Sequence, residues 1–217
     1  MRFGRAQARL GVALLSLGFA HSVILAGPTK TARVDFEPVA PGTAYGSPSH
    51  LPGQMVLTQN GIDMSVDFFV GRSFTEFNQA QVGGRYAAAF PTRSLALDNI
   101  SVVFDFSNLN FLVRELSVNY IDFTDAVGAS NFSVNGEPFY LLNPDAKLPD
   151  LVAPGVGATV DDTTLTLTAG PQGIDHLRIG GQELVIDNVL AVPEPACAVL
   201  LLIGAIALLG RARRVWS

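Results

Sequence analysis

The chain reads as an all-β protein: a single jelly-roll-like sandwich preceded by a signal peptide and followed by one short transmembrane helix. Three observations predict this. Apolar and polar residues alternate with a period of two in several short runs, and turn-forming pairs punctuate those runs. Between the two ends, no segment keeps the long 3.6-residue period of an amphipathic helix.

The clearest run places Ile62, Met64, Val66 and Phe68 against Asp63, Ser65 and Asp67, the pattern of a half-buried strand. Similar runs follow at 95–106, 112–123, 131–134, 163–168, 174–179 and 183–189. In one of them Leu165 and Leu167 alternate with Thr166 and Thr168, so apolar and β-branched polar side chains take opposite faces. Asn60-Gly61, Gly83-Gly84, Asn135-Gly136, Gly170-Pro171 and Gly180-Gly181 supply the turns. Segments 43–53 and 141–157, rich in Gly and Pro, read as long loops. Phe68, Phe104 and Phe106 fall in strand patterns and are expected in the core.

A length of 217 residues suggests one domain with a sizeable core. Hydrophobic residues make up 48% and charged residues 15%, which excludes a highly charged disordered chain. The charge is unevenly spread. Arg2, Arg5, Arg9, Arg211, Arg213 and Arg214 sit at the two ends, whereas every acidic residue lies between Asp35 and Glu194. From Lys30 to Glu194, eight basic residues face nineteen acidic ones, a net charge of −11. Such a domain is repelled by nucleic acid, so no nucleic-acid partner is expected.

The N-terminus has the form of a secretory signal over residues 1–26. Arg2, Arg5 and Arg9 form a positive region, and an apolar stretch over 10–20 follows. Small residues then offer cleavage after Ser22 or after Ala26.

At the other end, residues 192–217 form three consecutive parts. Pro193-Glu194-Pro195 comes first, then an apolar segment over 196–210, then a basic tail over 211–217 with Arg211, Arg213 and Arg214. The fourteen uncharged residues of 196–209 would cover about 21 Å as a helix, less than the roughly 30 Å hydrocarbon core. Arginines beyond such a segment favour the cytoplasmic side and reach to the headgroups.

This tripartite tail resembles the PEP-CTERM sorting signal of Gram-negative bacteria. Tails of that kind are also labelled ice-binding protein C-terminal domain, a label that many unrelated proteins share and that does not imply ice binding. The resemblance implies an exported protein held at first in the inner membrane with its ectodomain in the periplasm. An exosortase, a membrane-embedded cysteine protease-transferase, would then process it near the Pro-Glu-Pro motif, leaving it at the cell surface or outside the cell.

Cys197, the single cysteine, lies inside the apolar segment, so the ectodomain over 28–190 has neither a disulfide nor a cysteine-metal site. The ectodomain opens with Val34-Asp35-Phe36-Glu37 and closes with Val185-Ile186-Asp187-Asn188-Val189. These ends resemble jelly-roll carbohydrate-binding modules and galactose-binding-like domains. In those folds the first and last strands are neighbours, and a structural calcium often sits where they meet. The resemblance implies Asp35, Glu37 and Asp187 as ligands, since Ca²⁺ takes six to eight oxygens. Surface acids on edge strands would give the same sequence. A second Asp-Asn pair, Asp98-Asn99, is explained by an Asx turn.

Little points to catalysis. Beyond the signal only His50 and His176 remain, with no Gly-x-Ser-x-Gly, no His-Glu-x-x-His and no cysteine nucleophile. His176 beside Asp175 reads as a solvent-facing pair. Sugar platforms need exposed aromatic faces, and the only tryptophan, Trp216, is in the tail. Tyr45, Tyr86 and Tyr140 are the carbohydrate-binding candidates, with Phe90 nearby. The expected function is therefore non-enzymatic: a structural or adhesive envelope or matrix protein associated with exopolysaccharide. The alternative is a secreted polysaccharide- or ester-hydrolysing enzyme.

Overall fold

The computed structural model describes residues 30–71, 74–83, 90–124 and 130–194. The expected signal segment, Tyr86, and everything from Pro195 onward, including the apolar segment, Arg211, Arg213 and Arg214, lie outside them. Among the described residues the structure is all-β, with no helix.

In chain order the strands are β1 (Ala32–Val34), β2 (Ala44–Gly46), β3 (Met55–Gln59), β4 (Ile62–Val70) and β5 (Thr75–Glu76). There follow β6 (Gln79–Val82), β7 (Leu95–Asp98), β8 (Ile100–Asp105), β9 (Val113–Asp122) and β10 (Ser130–Val134). The last five are β11 (Tyr140–Leu141), β12 (Val156–Val160), β13 (Thr164–Ala169), β14 (His176–Gly181) and β15 (Leu184–Pro193).

Two antiparallel sheets pack together as a sandwich. The first runs β12-β13-β9-β15-β7-β6-β2, with β1 also paired to β15; the second runs β11-β10-β14-β8-β4-β3, with β5 on the end of β4. Alternation decides which face each strand buries. Ile62, Met64 and Val66 are fully buried, as are Leu165 and Leu167. Phe104, Phe132 and Ile179 from the second sheet join Leu95, Leu116, Val118 and Ile186 from the first in one apolar core.

Two details depart from the sequence pattern. The run at 95–106 is two strands, not one, and they belong to different sheets. Asn99, at φ 50°, takes the left-handed conformation that Asn tolerates, and the chain crosses between sheets there. The alternation in β4 also slips at its end: Phe69 is fully buried, while Phe68 is 43% exposed. Phe104 and Phe106 are buried as expected.

The expected loop at 43–53 contains β2, and β12 begins inside the one at 141–157. Both strands are short and lie at the edges of the first sheet, where one neighbour is missing and alternation is weakest.

β1 and β15 are antiparallel partners, with Ala32 opposite Ala191 and Val34 opposite Val189. The described chain therefore enters and leaves at the same end of the sandwich.

Candidate functional site

β15 changes partners halfway along. Leu184, Val185 and Ile186 pair with β7, whereas Val189, Leu190 and Ala191 pair with β1. Between the two sets the register with β9 shifts, and Asn188 sits at φ 52°. This bulge turns Asp187 into the gap between β1 and the segment leading into β7.

Asp187 is completely buried. Its carboxylate accepts hydrogen bonds from the Thr92 hydroxyl, the Asn188 amide (2.7 Å) and the Asn188 side-chain amide (2.9 Å). Burial pushes its pKa above the ordinary carboxylate value; these hydrogen bonds and the charge of Arg33 act in the other direction.

The Glu37 carboxylate accepts from the Arg93 amide at 2.9 Å, and the Arg93 guanidinium donates to the carbonyls of Glu37 and Val39. Asp35 accepts from the Gln59 side chain (2.6 Å) and faces Arg33 at 3.8 Å, while Arg33 also donates to the Asn188 side chain. The three acids named from the sequence thus sit on the segments that meet at this junction. Each is engaged by protein donors, and among the described residues no three His, Cys, Asp or Glu side chains form a group that could hold a metal ion. Thr92 and Arg93 escaped the sequence reading because they lie more than 50 residues from their partners and carry no local motif.

A second polar cluster lies across the second sheet. His176 pairs with Asp105 in register, with Nε2 to carboxylate 3.6 Å. Burial pushes the Asp105 carboxyl up, but hydrogen bonds from Ser107 and the neighbouring His176 together outweigh it and hold the pKa below the ordinary value. The imidazole is aligned with Asp105 rather than with its sequence neighbour Asp175. Asp105 also accepts from the Ser107 amide at 2.8 Å, and the His176 amide donates to the Asn135 side chain at 3.1 Å. Nearby, Arg178 bridges to Asp67 at 3.0 Å and lies 5.0 Å above the ring of Phe139, which is 37% exposed.

The aromatic candidates are placed as follows. Tyr45 is buried and meets His50 edge-on at 5.9 Å. Tyr140 is half-buried and packs on Phe132 at 5.9 Å. Among the described residues, the rings with substantial exposure are Phe68, Phe123 and Phe139.

The third feature is where the chain leaves the sandwich. Pro193 is the last residue of β15, opposite Val113, and Glu194 forms an ion pair with Arg114 at 3.4 Å. An open cleft of about 480 Å³ lies at this end, lined by Phe106, Leu109, Phe111, Leu112, Ile174 and Asp175 among others. No protein-family model matches the chain, and no curated protein matches it either.

Proposed function

We propose that this chain is an exported, non-catalytic structural or adhesive protein of the cell envelope or extracellular matrix, delivered by an exosortase and associated with exopolysaccharide. One observation carries the reading: Pro193-Glu194-Pro195, an apolar segment and an arginine cluster stand consecutively at the C-terminus. Each part has a physical role. The apolar segment holds the chain in the inner membrane, the arginines keep the tail cytoplasmic, and the prolines prevent a helix from running back into the domain.

Strand order supports a jelly roll as the delivered body. Eight strands, β7, β8, β9, β10, β11, β13, β14 and β15, fall into the orders β7-β15-β9-β13 and β8-β14-β10-β11. Counted along those eight, these are first-eighth-third-sixth and second-seventh-fourth-fifth, the arrangement of two interlocked Greek keys. β4 and β3 widen one sheet, and β6 and β2 widen the other.

The test of delivery is the fate of the full chain in a host with and without an exosortase. The reading expects a membrane-bound precursor without the enzyme and a shortened surface or extracellular form with it. An unchanged mass and location in the two hosts would remove it. Binding is tested separately on an exopolysaccharide array.

Calcium at Asp35, Glu37 and Asp187 belongs to the same proposal. To bind there, the ion would have to replace Arg93 at Glu37 and Thr92 at Asp187. A melting temperature that rises when Ca²⁺ is returned to EDTA-treated protein supports the site, and no change eliminates it.

A further inference from the structure

The domain and its sorting motif are not separated by a linker. Leu190 pairs with Ser117 on one side and Arg33 on the other, and Ala191 with Leu116 and Ala32. Val192 continues opposite Glu115, and Pro193 opposite Val113. The strand is thus paired on both sides as far as Ala191, and on the β9 side alone, across a register shift after Val192, it reaches the first residue of Pro193-Glu194-Pro195.

The second residue is held by a side chain. Arg114 projects from β9, and its guanidinium donates to the carbonyl of Gly170 in the loop between β13 and β14. With its side chain only 19% exposed, it is rooted in the sandwich, and its remaining amino group meets the Glu194 carboxylate at 3.4 Å. The anchor is therefore rigid, and the residue it holds is the one charged group of the motif. Glu194 itself is 51% exposed, so the contact can open to solvent without disrupting the core.

We propose that Arg114 is a latch: it keeps Pro193 and Glu194, the first two residues of the sorting motif, docked on the folded sandwich, and processing of the tail is gated by release of Glu194. The proposal rests on the reading of the tail as an exosortase signal. An enzyme that recognises Pro-Glu-Pro must contact the glutamate carboxylate and accept the flanking chain in extended, unpaired form. While docked, that carboxylate is committed to Arg114 and the preceding residues are committed to β9 and β1. Only the undocked fraction is competent, and the apparent affinity of the enzyme falls by that fraction. Arg114 acts here through the motif and is a positioning residue.

The latch is tested on the full chain in exosortase-bearing cells, following conversion of precursor to shortened product in a pulse-chase. Arg114→Gln removes the charge, and a Gly-Ser-Gly-Ser insertion between Val192 and Pro193 moves the motif off the sandwich with Arg114 intact. Both should convert about two- to five-fold faster than wild type, the range expected for losing one half-exposed ion pair. Glu194→Ala, which removes the recognised group, should not convert.

Wild type that converts at the same rate as both variants overturns the latch and leaves the sorting reading standing. Slower conversion of both variants also overturns it, because Arg114 then presents the motif rather than withholding it. If Arg114→Gln fails to fold, the insertion alone decides. Wild type that keeps its full mass only because no exosortase acts on it overturns the sorting reading and the latch together.

Discussion

The fully buried carboxylate of Asp187 is stabilised by the Thr92 hydroxyl and by two N–H groups of Asn188, and among the described residues no cation hydrogen-bonds it. A buried carboxylate that loses a donor keeps its desolvation cost without compensation. Thr92→Val keeps the shape and removes the hydroxyl, so it should destabilise the fold by about 1.5–3 kcal/mol, read as a lower denaturation midpoint. Thr92→Ser, which restores a hydroxyl, should recover most of that loss. Asp105 behaves in the opposite sense. Its folded pKa lies below the ordinary 3.8, so its contribution to stability is present above that value and is lost as pH falls through the lowered one. Asp105→Asn should therefore melt slightly below wild type at pH 6–7, and the two curves should converge in strong acid. A gap that persists at low pH would show that Asp105 acts through packing instead. The three junction acids were legible because they lie near the two ends of the β-rich region. Their donors were not, because a hydroxyl 95 residues away leaves no local trace.

At the scale of elements, legibility follows burial geometry. β4 and β13 each present one face to the core and one outward, so their alternation was plain in the sequence. β10 gave less, because all five of its residues are buried, including Asn131 and Ser133. The step from β7 to β8 was half legible: Asp98-Asn99 reads as an Asx turn, but nothing local shows that the chain changes sheets there. Gly180-Gly181 has the form of a turn pair, yet Gly180 lies within β14, opposite Ser101 on one side and Asn131 on the other. The absence of a side chain matters there. A Cβ at Gly180 would come within 3.0 Å of the Ser101 Cα and of the Phe69 ring, and closer still to the Ser101 hydroxyl. Ser101 can turn its hydroxyl away, but the backbone atom cannot move without spreading β14 from β8. Gly180→Ala should therefore cost about 1–3 kcal/mol, seen as a lower urea midpoint with an unchanged slope. Gly136→Ala meets nothing within 4 Å, so it separates strain at a positive φ from crowding.

The whole molecule is organised around its last strand. β15, the last strand among the described residues, lies between β9 on one side and β7 and then β1 on the other, so it joins the sheet together. The ectodomain drawn from sequence as 28–190 stops inside that strand. Ala191, completely buried between Ala32 and Leu116, would be removed, together with the pairing of Val192 and Pro193 to β9. Each lost backbone hydrogen bond costs about 0.5–1.5 kcal/mol, and β1, only three residues long, would lose one of its three partners. A fragment of residues 28–190 should therefore melt on the order of 5–10 °C below a fragment of 28–194. The longer fragment keeps Pro193 and Glu194 and so should match the sandwich of the full chain in stability. Equal melting of the two would mean that the end of β15 adds nothing to the fold, and a motif that adds nothing is also free to leave it. The same measurement thus bears on the latch: the more the last residues of β15 stabilise the sandwich, the more strongly the sandwich holds back the tail that follows them.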